Sequence, residues 1–144
     1  MEYSFRDCTL EDYDLLFRLK EENFKSYIEE CWGWDTEDQH RRLKEDLELN
    51  INHKKIIVVN DISVGVYSVG IIDGDFFIEE INILKEYQNN KIGSRILKEQ
   101  LAENALNGIV TKLRVFKKNP AKNLYERLGF RIFREIETHY YMEK

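Results

Sequence analysis

Two cysteines, Cys8 and Cys31, are all the chain has, with neither C-x-x-C spacing nor a histidine set beside them. A disulfide scaffold and a zinc module are both excluded, and no metal site is expected. Lysine and arginine number 22 against 27 acids, a net charge of -5, and they form no cluster dense enough to track a phosphodiester backbone. Nucleic acid is therefore not expected as a partner. The longest apolar runs cover a handful of residues, far short of the ~20 that cross a bilayer, so no membrane partner is expected. The opening stretch MEYSFRDCTL has no basic segment followed by an apolar one. No export signal is expected from it, and the cytoplasm is the expected compartment. Internal repeats, low-complexity tracts and linkers are also missing. Even glycine runs short where a phosphate-binding turn would want it, since YQNNKIGS carries Gly93 alone.

What is present suits a folded chain. Of 144 residues 42% are hydrophobic and 12% aromatic, enough for one α/β domain over 1–144 with a real core. YSFRD reads as a strand. TLEDYDLLFRLKEENFKSYIEECW reads as one helix, capped by Thr9 with Asp12 three residues on, and with Leu10, Tyr13, Leu16, Phe17, Lys20 and Phe24 at helical spacing. Asp35 or Thr36 caps a second helix that reaches about Asn50 through Leu43 and Leu47. KKIIVV, SVGVYSVGII and FFIEEINIL are three strands joined by ND and DG turns, an antiparallel meander. IGSRILKEQLAENAL is a helix with Ile92, Ile96, Leu97, Leu101 and Ala105 on one face and Gly108 past its end. TKLRVF is a strand. Asn119 and Pro120 start the short helix AKNLYERL, which Gly129 closes, and FRIFREI and HYYM end the chain as strands.

The turn between FFIEEINIL and the next helix has anion-binding geometry. The first amides of a helix have no intrahelical acceptor, and its dipole favours negative charge there. A dinucleotide-binding fold does not fit, because its glycine-rich turn follows an early strand and here the turn comes late, after a meander. A second stretch some thirty residues on narrows the reading. Gln88-Asn89-Asn90-Lys91-Ile92-Gly93, followed by Ser94, is similar to the Q/R-x-x-G-x-G/A signature of the GNAT superfamily of N-acetyltransferases. Asn119, Ala121, Leu124, Tyr125, Gly129 and Phe130 are similar to its second motif, N-x-x-A-x-x-L-Y-x-x-x-G-F. WGWD and ETHYYM resemble a bacterial subgroup of the same family. Lys91 departs from the signature by replacing its first glycine, and a side chain there speaks against left-handed backbone.

The resemblance implies a mixed, mostly antiparallel twisted sheet flanked by helices, and transfer of an acetyl group from acetyl-CoA to an amine by direct attack. It implies that pantetheine pairs with the backbone of Ile81, Asn82 and Ile83 and that the pyrophosphate lies on the amides from Asn89 to Ser94. Gln88, Lys91, Ile92 and Gly93 belong to that cradle. It further implies that Tyr125 protonates the departing thiolate and that Asn119, besides capping its helix, contacts the coenzyme. For the base, alternation places Glu79 with Phe77, Ile81 and Ile83, where a carboxylate loses hydration and holds a proton more readily. Glu80 is the second choice, and a bulge in the strand would exchange the two. Trp32 and Trp34 flank a glycine in the connection where the family admits its acceptor; they either wall that site or anchor a corner to the core. His139 is a candidate proton relay, while His40 and His53 read as surface residues. Cys8 and Cys31 lie outside both motifs, which argues against an acyl-cysteine route. The acceptor is a small amine, an aminoglycoside-like compound, or a protein N-terminus or lysine, with acidic residues favouring a cationic one. An exposed late strand suits a homodimer. A non-catalytic acyl-CoA-binding module is the competing reading.

Overall fold

A computed structural model describes residues 1–144. Seven strands form one sheet in the order β1-β2-β3-β4-β5-β7-β6. The strands are β1 (Ser4–Asp7), β2 (Lys54–Val59), β3 (Ile62–Ile72), β4 (Asp75–Ile83), β5 (Thr111–Phe116), β6 (Arg131–Glu135) and β7 (His139–Glu143). Five helices accompany them: α1 (Tyr13–Asn23), α2 (Lys25–Trp32), α3 (Thr36–Asn50), α4 (Ile92–Leu106) and α5 (Ala121–Arg127). The contacts divide the chain into two compact units, residues 1–68 with 80–92, and residues 69–79 with 93–144.

In the first unit β1 runs antiparallel to β2 (Phe5 opposite Ile57), and β2 antiparallel to β3 (Ile56 opposite Val66). A register slip between Ile57 and Val58 bends the second pairing. The Asn60-Asp61 turn between β2 and β3 has positive φ at both residues, the conformation that matches hairpin twist. Thr9 and Asp12 form the expected capping box, and Asp35 caps α3 through the Asp38 amide. Leu16, Phe17 and Leu19 of α1 pack with Leu43 and Leu47 of α3 onto Ile56, Val66 and Leu84. Buried Cys8 belongs to the same cluster.

The first predicted helix is in fact two. The chain breaks at Phe24, where φ is -122°, and α2 follows until Gly33, at φ +80°, ends it. Asn23 is the last residue of α1, and its side chain bonds to β4 instead of facing water. Leu10, expected on the apolar face, is 71% exposed because the first turn is 3-10 and rotates it outward.

In the second unit the start of β4 pairs parallel with β5 (Phe76 opposite Thr111), β5 antiparallel with β7, and β7 antiparallel with β6. Leu113, Val115 and Met142 are buried from the strands, and Ile96 and Leu97 from α4. Leu101 is only half-buried and Ala105 exposed, which corrects the expected face. Asn104 is buried in their stead, where it donates to Thr111 Oγ1 at 2.8 Å and accepts from Gln100 at 3.0 Å. Asn119 Oδ1 accepts from the Ala121 amide at 2.9 Å, so it caps α5 from one residue further out than expected.

Candidate active site

The turn between β4 and α4 is built around two left-handed residues. Asn89 has φ +66° and Lys91 φ +62°. The expectation that a lysine would keep this position out of left-handed backbone is therefore corrected, because the chain accepts the cost, on the order of 1–2 kcal/mol for a residue with a Cβ. Alternating left-handed residues wind the backbone so that neighbouring amides converge, the arrangement of an anion-binding nest. α4 begins at Ile92, so the amides of Ile92, Gly93 and Ser94 come first in a helix and lack intrahelical acceptors. Asn89, Asn90 and Lys91 are exposed, and Ile92 is buried beneath the turn.

Gln88, counted within the cradle by its motif position, turns its side chain the other way. Its Nε2 donates to the Ile83 carbonyl at 2.8 Å and to Asn23 Oδ1 at 3.0 Å. The Ile83 carbonyl also accepts from Asn23 Nδ2 at 2.9 Å. Of the three β4 residues expected to meet pantetheine, Ile83 thus already has both carbonyl lone pairs engaged. β3 closes tightly on this end of β4, since a Cβ at Gly65 would stand 2.5 Å from the Asn82 carbonyl oxygen and 3.2 Å from Ile83 Cα. Only glycine permits that approach.

The two β4 carboxylates sit in different surroundings. Glu79 is exposed, and its carboxylate lies 3.0 Å from where a Cβ on Gly70 would be, against the bare backbone of β3. The expected desolvation of Glu79 is corrected by that exposure; the alternation that placed it with Ile81 and Ile83 did not bury it. Glu80 is half-buried and oriented. Asn82 Nδ2 donates to its Oε2 at 3.1 Å, and Lys54 Nζ lies 3.7 Å from its Oε1. Lys54 is 5% exposed and also pairs with Asp46 at 2.8 Å. Burial pushes the Asp46 carboxyl up, but hydrogen bonds from Lys54 and Asn50 outweigh it and hold the group below its usual range. Burial also lowers Lys20 of α1, against the raising pull of Glu80.

In the second unit Tyr125 is buried on α5, edge-on to Phe130 at 5.8 Å, and burial pushes its phenol up to about 12. His139 does not have the near-neutral basicity expected of a relay. It is buried, its ring lies 4.1 Å from that of Phe116, Thr138 Oγ1 stands 2.7 Å from its Nδ1, and burial with the nearby Arg114 charge lowers it to about 4. An imidazole so placed stays neutral through the physiological range.

The tryptophans divide. Trp34 packs on Phe17 at 6.2 Å, carries Lys25 Nζ over its ring at 5.4 Å, and donates to Thr36 at 3.1 Å, so it anchors the corner before α3. Trp32 is 63% exposed. His40, expected at the surface, stacks on Phe17 at 3.8 Å and meets the Tyr13 hydroxyl at 2.6 Å. Cys8 is buried and pushed up to about 11, first by desolvation; Cys31 is exposed and free. Sequence reasoning missed Asn23 and Lys54. Lys54 left a signal, because it shares a strand face with Ile56, whereas nothing local marks Asn23.

Comparison with known proteins identifies the family and the fold. Residues 52–132 match the acetyltransferase (GNAT) domain family, more than half of the chain. No curated protein matches it. Among solved structures, a PaiA N-acetyltransferase from Thermoplasma acidophilum in complex with coenzyme A superposes with a TM-score of 0.76 at 20% identity, covering 100% of this chain and 99% of the other. An acetyltransferase from Thermus thermophilus gives 0.74 at 21%, with 100% and 97% covered. Arabidopsis thaliana Naa50, in complex with the bisubstrate analogue CoA-Ac-MVNAL, gives 0.63 at 19%, with 100% and 99% covered.

Proposed function

Because the chain belongs to the GNAT acetyltransferase family and is thereby an acetyl-CoA-dependent acyltransferase, we propose that it acts as one domain to acetylate an amine by direct attack. The observation that carries this reading is the left-handed turn at Asn89 and Lys91 leading into the first amides of α4. Such a turn offers converging donors to a diphosphate, and the helix dipole adds to them. The backbone of Ile81 and Asn82 takes the pantetheine arm, and Asn119 assists from the start of α5. The coenzyme and the coenzyme–peptide analogue held by two structural neighbours support this choice of cosubstrate and of an amino-group acceptor.

In the reaction the amine nitrogen attacks the thioester carbonyl, a C–N bond forms, and the C–S bond breaks. Glu80 takes the proton that leaves the amine, since its carboxylate is the one that Asn82 and Lys54 hold in place. Tyr125 returns a proton to the thiolate. With its phenol near 12, Tyr125 is always protonated when needed. It is a weaker acid than a free thiol, so donation is favourable only to a thiolate desolvated to a similar degree. Positioning of the two reactants supplies much of the acceleration.

The test mixes the protein and acetyl-CoA with putrescine, tyramine, lysine amide and the pentapeptide Met-Val-Asn-Ala-Leu, and follows thiol release. Calorimetry with coenzyme A runs beside it. Binding together with release on at least one amine is the expected result. Absence of coenzyme binding at millimolar concentration overturns the reading, and binding without release from any amine leaves a coenzyme-binding module.

A further inference from the structure

Asn23 of the first unit belongs to neither the packed core nor the proposed reaction. Asn23 ends α1 and reaches β4 across 59 residues of sequence. Its Nδ2 donates to Asn82 Oδ1 and to the Ile83 carbonyl at 2.9 Å, while its Oδ1 accepts from Gln88 Nε2 at 3.0 Å. Asn82 is 3% exposed and passes the chain on by donating to Glu80 Oε2 at 3.1 Å. An unbroken amide path therefore runs from the first residue of the signature turn to the carboxylate.

The polarity of that path is forced. An ionised carboxylate and a peptide carbonyl only accept hydrogen bonds. Glu80 thus fixes the NH2 of Asn82 toward itself, which leaves the Asn82 oxygen for Asn23. The Ile83 carbonyl likewise demands a donor from both Asn23 and Gln88. Every amide has one orientation, and a flip at any position sets two acceptors against each other. Buried networks of this kind are fully satisfied or costly, with little between.

We propose that Asn23 is a positioning residue that ties the coenzyme-binding turn to the Glu80 carboxylate, holding through Asn82 the rotamer from which Glu80 takes the amine proton. This rests on Glu80 being the base, as proposed above. Asn23 touches neither reactant, and its contribution is orientation alone. The consequence is specific. Asn23→Asp keeps the size but removes both donated bonds, so Asn82 must flip to satisfy the new carboxylate. Its oxygen then faces Glu80, and the two acceptors repel.

The experiment is a double-mutant cycle. Turnover and the KM for acetyl-CoA are measured by thiol release on the best amine of the panel, for the wild type, Asn23→Asp, Glu80→Gln and the double variant, with melting curves for all four. A glutamine at 80 still accepts from Asn82, so the path survives that change while the base is lost. Asn23→Asp is expected to lower kcat roughly tenfold in the wild-type background and less than about twofold in the Glu80→Gln background, with KM moving little. An equal loss in both backgrounds means a merely structural role and overturns the inference while leaving Glu80 as base. Unchanged kcat in the single Asn23 variant does the same. A Glu80→Gln variant as fast as wild type removes the base, and the inference with it, as does failure of every panel amine. Should Asn23→Asp not fold, Asn23→Ala, which deletes the donors without adding charge, is held to the same background dependence.

Discussion

The unit built on β1 and β2 buries charged groups in company: Asp12 with Arg6 at 2.6 Å, Lys54 with Asp46 at 2.8 Å. The unit built on β5 and β7 buries Tyr125 and His139 beside aromatic rings, and burial drives both toward their neutral forms. Pairing preserves charge, while apolar surroundings remove it. The first unit therefore keeps these buried groups ionised, and the second keeps its buried groups neutral. The contrast predicts that the two units respond to different insults: loss of a partner in the first, acid in the second.

The largest effect is expected at the neutral end of the comparison. Tyr125→Phe keeps the ring against Phe130 and removes the hydroxyl with its proton. Turnover should fall roughly hundredfold while coenzyme affinity stays within about threefold, compared by thiol release and calorimetry. Equal losses in both would take the acid role away from Tyr125. At the charged end, Lys54→Met strands Asp46 and loosens Glu80. Because Asp46 is partly exposed, a loss of about 2 kcal/mol in urea unfolding is expected, below the figure for a fully buried pair.

Acid separates the units next. Between pH 6.5 and about 4 the unfolded chain protonates His139 and the folded chain does not, so the unfolded state binds more protons and stability falls as pH drops through that window. His139→Gln should flatten the decline by about 1–2 kcal/mol in denaturation curves taken across it. Asp12, held below its usual range chiefly by the Arg6 hydrogen bond, contributes stability that is lost only at lower pH. The smallest change is Lys91→Gly. Relief of left-handed strain should raise stability by about 0.5 kcal/mol, net of glycine's added chain entropy, and a melting curve would register it.

Local chemistry was plain in the sequence. The Thr9–Asp12 capping box, the Asp35 cap and the span of α4 each follow from residues within one or two turns of one another. The errors arose where distant partners decide. Phe24 interrupts a helix whose spacing continues, because Asn23 is claimed by β4. His40 reads as polar surface until Phe17 and Tyr13 arrive from α1. Lys91 has a Cβ that argues against its own conformation, and the turn imposes that conformation regardless. Of the candidate site, the turn and Tyr125 were legible through motif spacing. The network orienting Glu80 was not, because its amides come from three segments with no shared periodicity. Glu79 shows the limit of alternation, which gives the side of a strand but not whether anything covers it.

The two thiols offer a practical handle. A disulfide reagent would modify exposed Cys31 at once, a fixed background in any coloured assay of coenzyme release. Cys8 lies in the packed cluster with Leu16, Leu19 and Ile56, and its proton is held to about 11. It would react only when that cluster opens. A second, slower wave of labelling thus times the opening of the β1–β2 unit without any engineered probe, and added coenzyme should slow that wave if the ligand steadies the unit.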